Sequence, residues 1–202
     1  MVAEVFSTIY HQNLWGGQES RSGPGSSLEQ TVHVRAGLEA LIRKYEPASL
    51  LDLPCGDAHW MMHVVESLNI RYLGADIVPE MIHQNRILWP QRRWQVLNIC
   101  SDPLPEVDMI FCRDCLVHLS VDLVTQALRN VRHSGAKYLV MTTFPRIPEG
   151  NGDIRVGGWR RLDFTQQPFL LPPPHDIVNE CRPGPPLDGD KSLGVWRISD
   201  LL

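Results

Sequence analysis

The chain is organised around residues 49–62, SLLDLPCGDAHWMM. A short apolar run ends in the acidic Asp52, a tight Pro54-Cys55-Gly56 turn follows, and then comes an amphipathic segment that Asp57 can cap. Strand, loop and helix in that order place a nucleotide at a helix N-terminus beside the end of a buried strand. Gly56 lets the backbone approach a ligand closely, and the free amides of the following helix can face a negative group. An ordinary strand-to-helix connection has the same local pattern, so the stretch takes its meaning from its surroundings.

Those surroundings alternate between apolar runs and helical stripes. Residues 49–53, 70–77, 94–99, 107–112 and 138–144 read as strands. Residues 57–68, 79–88 and 121–131 read as helices, the last on a stripe of Val121, Val124, Leu128 and Val131. Upstream, Ser26 with Glu29 forms a capping box before a stripe of Val34, Leu38, Leu41 and Tyr45, and Pro47 stops that helix. Strands separated by helices argue for an α/β fold, a parallel sheet with helices on both faces and ligands bound outside the carboxyl ends of its strands. The 202 residues suit one domain. It divides into an N-terminal loop or lid (1–27), a binding core (28–144) and a Pro/Gly-rich tail (145–202) with short strands near 159–164 and 193–198. No apolar run is long enough to span a bilayer and no secretory signal opens the chain. The net charge of −4 argues against a nucleic-acid backbone as main partner. Five scattered cysteines fit reduced thiols in a cytoplasm.

Several polar residues fall at strand ends. Asp76 follows Gly56 by 20 residues and closes the second strand, where a carboxylate can accept hydrogen bonds from both hydroxyls of a ribose. Asn98 and Ile99 end the third strand, where the amide can bond an adenine edge and the aliphatic chain can pack on the ring, although a strand-end Asn also suits a turn. Arg113, Asp114 and His118 crowd the end of the fourth. In the N-terminal segment, Trp15 precedes four glycines within residues 16–25, the composition of a loop that closes over something or of a flexible leader.

The motifs LLDLPCGDAHW, YLGADIVPEM, LNI, DMIFCRDCLVHLS and YLVMTTF, in this order and spacing, resemble those of class I S-adenosylmethionine-dependent methyltransferases over residues 50–144. The resemblance implies a three-layer, Rossmann-like, mostly parallel sheet with an antiparallel strand near the C-terminus. It also implies S-adenosylmethionine as cofactor. The methionyl part would lie on Asp52, Pro54 and Gly56 and on the backbone at Arg113, the ribose on Asp76 with Ile77, and the adenine on Asn98 with Ile99; Trp15 would cover the cofactor. Pro54 and Ala58 stand where the family commonly has glycine, and Asn98 where it often has Asp. The GxGxxG glycines of a dinucleotide-binding oxidoreductase are missing.

A sulfonium methyl is already electrophilic, so the protein must align an acceptor in line with the methyl–sulfur bond and exclude water. No metal is required. His118 is the candidate base for a hydroxyl acceptor, with Asp114 to orient it. Cys112 and Cys115 form a CxxC without a second pair, and His59 and His63 lack the glutamate of HExxH. The expectation is O- or N-methylation of a small molecule; the alternatives are a non-catalytic protein that binds the cofactor or a nucleoside, and an NAD-dependent oxidoreductase. Oligomeric state has no signature in the sequence.

Overall fold

In a computed structural model, which describes residues 2–181 and 190–201, the apolar runs form the middle of a seven-stranded sheet. The strands are β1 (Ser49–Asp52), β2 (Arg71–Asp76), β3 (Arg93–Val96), β4 (Met109–Cys112), β5 (Tyr138–Thr143), β6 (Asp176–Asn179) and β7 (Ser192–Arg197). Their order is β3-β2-β1-β4-β5-β7-β6. The first five are mutually parallel, β7 runs antiparallel to β5, and β6 runs antiparallel to β7. The fold is the expected α/β arrangement.

Every residue of β1 and β4 is buried, as continuous apolar runs require when helices cover both faces of a sheet. Side-chain alternation then divides the core. Leu50, Met109 and Phe111 pack on one face with α2 (Val32–Tyr45), α3 (Met61–Val65) and α4 (Pro79–Leu88). Leu51, Ile110 and Cys112 pack on the other with α5 (Val121–Arg132) and Trp196. Gly74 in β2 makes one such contact possible, because a Cβ there would lie 2.3 Å from the Trp94 ring. The chain reverses its lateral direction between β1 and β4, so the crevice at their carboxyl ends is the place for a ligand.

Several local expectations are corrected. Residues 2–12, read as loop, form helix α1 (Val2–Gln12). The Ser26–Glu29 capping box does not start a helix. Ser26 closes a 3-10 turn (Pro24–Ser26), and α2 begins at Val32 behind Thr31, whose side chain makes no cap. The helix expected over 57–68 shrinks to α3, five residues long. The third strand ends at Val96, ahead of Asn98. No strand forms over 159–164, while β6 comes from a stretch read as irregular. Residues 182–189 of the Pro/Gly-rich tail lie outside the described residues. Among the described residues no helix is long and apolar enough to cross a membrane.

Candidate active site

The site grows out of the turn after β1. The Leu53–Pro54 peptide is cis, Cys55 N donates to Ala75 O at 2.7 Å, and Gly56 N donates to Asp76 Oδ2 at 3.1 Å. Asp76 Oδ1 accepts a second amide, from Val78, at 3.0 Å. The acid closing β2 therefore clamps the glycine turn. Each of its oxygens accepts an amide, and the Ile77 amide also acts on the carboxylate. Burial raises the Asp76 carboxyl to about 6 against these stabilising amides. Burial raises Asp52 further, to about 8, although the Tyr72 hydroxyl donates to it at 2.7 Å.

Asp57 does not cap a helix, since α3 begins only at Met61. Its carboxylate accepts from Ser20 Oγ at 2.9 Å and from Arg21 N at 2.8 Å, and Asp57 N donates to Ser22 Oγ at 3.2 Å. Gly56, at φ 55°, is in the left-handed region, and a Cβ there would sit 2.1 Å from Ser22 Oγ. Glu19 adds a contact to His59 at 2.6 Å. The Gly/Ser segment is thus fastened over the turn. Replacing Asp57 with Ala removes those acceptors and should release the segment. Trypsin cleavage after Arg21 is expected to accelerate about tenfold, the equivalent of one lost charge-assisted hydrogen bond. An unchanged cleavage rate would show that something else holds the segment.

A cavity opens at this crevice, with about 900 Å³ of empty space including its solvent-facing part. Gly56, Asp76, Ile77, Val78 and Met81 line it from the β2 side; Arg113, Asp114, Cys115 and His118 line it from the β4 side. Asp52, Pro54 and Trp60 lie between, and Phe6, Ile9, Tyr10 and Trp15 form the outer wall. Asn98 and Ile99 are not among the lining residues. Asn98 Oδ1 accepts from Cys100 N at 2.9 Å and Asn98 N donates to Asp102 at 2.9 Å, so this residue builds a turn. Ile99 is buried in the opposite core.

On the β4 side, the Arg113 guanidinium is buried 5.4 Å from the Trp60 ring. It donates to Glu180 Oε2 from Nε at 3.0 Å and Nη2 at 2.8 Å, and to Gly25 O at 3.2 Å. Asp114 has φ 51° and takes Lys191 Nζ on Oδ2 at 2.6 Å, with Arg113 3.3 Å away. Burial alone would raise its carboxyl, but Lys191 and Arg113 outweigh burial and hold it well below the usual range. The structure does not pair Asp114 with His118. His118 ends a short 3-10 turn, its Nδ1 lies 2.6 Å from Gly158 O, and its ring stacks on Trp15 with centroids 4.8 Å apart. A carbonyl only accepts, so Nδ1 carries the proton and Nε2 the lone pair. Burial lowers the His118 pKa.

Residues 50–135 match the family model described as a methyltransferase domain. The matched stretch runs from β1 through α5 and covers less than half of the chain. Domains of this kind use S-adenosylmethionine as methyl donor. Among solved structures, the PH0226 protein from Pyrococcus horikoshii OT3 is similar at 16% identity, with a TM-score of 0.60 over 85% of this chain and 92% of that one. PigF, solved with SAH, is similar at 13% identity and a TM-score of 0.62 over 84% of this chain and 56% of its own. The [4+2]-cyclase SpnF is similar at 17% identity and a TM-score of 0.52, over 67% and 54%. The chain thus spans little more than half of two of these three proteins. No curated protein sequence matches it.

Sequence reading missed α1, Gly158, Glu180 and Lys191. The first had a signal, since Val2, Val5, Phe6 and Ile9 fall on one helical face. The others had none, because each meets its partner across 40 or more residues.

Proposed function

We propose that this methyltransferase domain transfers a methyl group to an oxygen or nitrogen of a small-molecule acceptor, directly and in line, with His118 as general base. The observation that carries the proposal is the 2.6 Å contact of His118 Nδ1 with Gly158 O, which favours a neutral ring with its lone pair on Nε2 in a residue that lines the cavity. S-adenosylmethionine supplies an electrophilic sulfonium methyl. The residues fit it. The Asp76 carboxylate suits the ribose hydroxyls, Ile77, Val78 and Met81 offer apolar surface for adenine, and the turn at Gly56 and the backbone at Arg113 suit the methionyl group. Trp15 and α1 exclude water. For a hydroxyl acceptor, His118 Nε2 would take the proton while bound S-adenosylmethionine would supply the methyl group and keep the bonding pair as the neutral thioether. Five free cysteines fit a reducing, cytoplasmic setting.

The test is transfer of labelled methyl to a panel of small acceptors. His118→Phe keeps a ring for Trp15 but removes the base, and kcat is expected to fall about 10²- to 10⁴-fold with SAH affinity retained. Because burial lowers the His118 pKa, the base stays neutral through pH 7. The acid limb of wild-type kcat should therefore lie below the ordinary histidine value of about 6.5. An acid limb above it, or His118→Phe turning over at the wild-type rate, removes His118 from this role. SpnF is named for a cyclisation, so the fold alone leaves the reaction open. SAH binding without turnover on any acceptor favours a non-catalytic binding protein.

A further inference from the structure

The β4 side of the cavity presents two hydrogen-bond acceptors, Asp114 Oδ1 and His118 Nε2, without a donor partner among the described residues. Asp114 carries a full charge, yet both of its cationic partners sit on one oxygen. Lys191 lies 2.6 Å and Arg113 3.3 Å from Oδ2. The other oxygen, Oδ1, is buried and has no hydrogen-bond partner among the described residues. A buried carboxylate oxygen without a donor is costly and calls for a missing partner. Asp114 also has a left-handed backbone, held where its amide donates to Thr142 Oγ1 at 2.9 Å. Strain of that kind persists where surrounding structure enforces it. His118 stands close enough for the two groups to act on each other electrostatically, and its Nε2 is likewise an acceptor.

The sign of the surrounding charge narrows the ligand. Lys191 and Arg160 act on His118 from the positive side, and Arg113 and Lys191 already neutralise Asp114. An ammonium acceptor would add positive charge beside them and beside a sulfonium. A carboxylate acceptor would meet Asp114 and an unprotonated imidazole lone pair, neither of which can donate, and Arg160, whose Nε and Nη2 have no partner among the described residues, is not among the residues lining the cavity. A neutral group bearing polar hydrogens satisfies both atoms. The half-buried Trp15 ring, stacked on His118, supplies an apolar wall beside them.

Resting on the methyltransferase reading above, we infer that the acceptor is a neutral polyol, a sugar or comparable ring, that donates one hydroxyl to Asp114 Oδ1 and another to His118 Nε2. Lys191 and Glu180 are then positioning residues. Glu180 Oε2 holds Arg113 and lies 3.5 Å from Lys191 Nζ, so two residues from the tail fix which Asp114 oxygen remains free.

The test uses the full chain saturated with SAH and, as probes, methyl glucoside, methyl galactoside and methyl rhamnoside beside benzylamine and benzoate, followed by saturation-transfer NMR and calorimetry. The glycosides are expected to bind saturably and the two charged probes not. Asp114→Asn and His118→Phe should each weaken glycoside binding about tenfold or more while SAH affinity stays within about threefold. Lys191→Met should weaken glycosides as well, and an added acid limb in their binding should appear as Asp114 regains an ordinary carboxyl range. Binding of benzylamine or benzoate in preference to the glycosides overturns the inference. So does an Asp114→Asn variant that loses SAH and glycoside together while His118→Phe retains both. Absence of SAH binding by the wild-type chain overturns the methyltransferase reading itself, a distinct result.

Discussion

An Asp76→Ala variant is expected to bind SAH at least 100-fold more weakly than the wild-type chain. In the proposed ribose role the carboxylate accepts two ligand hydroxyls while also holding the glycine turn through Gly56 N and Val78 N. Two hydrogen bonds to a charged acceptor contribute about 1.5–3 kcal/mol each, which together make roughly a 10²- to 10⁴-fold effect. Asp76→Asn keeps the shape but replaces one acceptor oxygen with a donor, so it should fall between the two. Acidity gives an independent check. Burial raises this carboxyl to about 6, above its unfolded value of 3.8. The ionised form accepts from the ligand, so SAH affinity should hold above pH 6 and fall as pH drops through it, by up to about tenfold per unit. Stability of the empty chain should run the other way. A raised carboxyl favours the folded state below its unfolded pKa and loses that contribution as pH climbs through about 4 to 6. Calorimetric titration between pH 5 and 8 and denaturant unfolding between pH 4 and 8 measure both. SAH affinity that is flat across this range and indifferent to Asp76→Ala would remove Asp76 from the ribose role.

The parts of this arrangement that were legible in sequence are those with a short-range cause. The apolar runs at 50–53 and 109–112 can be covered only on both faces, and that alone places β1 and β4 in the middle of the sheet. The spacing and pattern placed Asp76 at the end of β2 as a ribose ligand, and the structure adds that its carboxylate accepts Gly56 N at 3.1 Å. Asn98 was ambiguous for a physical reason, because an amide after a strand bonds equally well to a base edge or to its own backbone. The Cys100 amide, two residues on, decides for the backbone by donating to Asn98 Oδ1. The capping box at Ser26 failed because Pro24 and Gly23 set up a tighter turn first. Asp57 misled similarly. A carboxylate at that position can cap a helix, but the backbone amide and hydroxyls of residues 20–22 reach it instead.

The tail made the largest difference to the site, and its contribution leads to a second large effect. Arg113→Met is expected to destabilise the fold by about 3–5 kcal/mol, the usual consequence of leaving a buried charge without its partner. Glu180 is the charge left behind, with its side chain 4% exposed and one carboxylate oxygen without a partner among the described residues. In the intact cluster two cations, Arg113 and Lys191, face two anions, Asp114 and Glu180. Losing Arg113 leaves one uncompensated negative charge and removes the donor to Gly25 O, loosening the Gly/Ser segment at the same time. For a chain of this length the midpoint of thermal unfolding should drop by roughly 6–20 °C. Arg113→Met combined with Glu180→Met should be more stable than Arg113→Met alone, because the remaining Lys191–Asp114 pair is balanced by itself. A purely steric role for Arg113 predicts the reverse order, since the double variant disturbs more packing. Denaturant midpoints of the three proteins decide between these orders. A single variant that loses less than about 1 kcal/mol would mean that Glu180 has found another donor or taken up a proton.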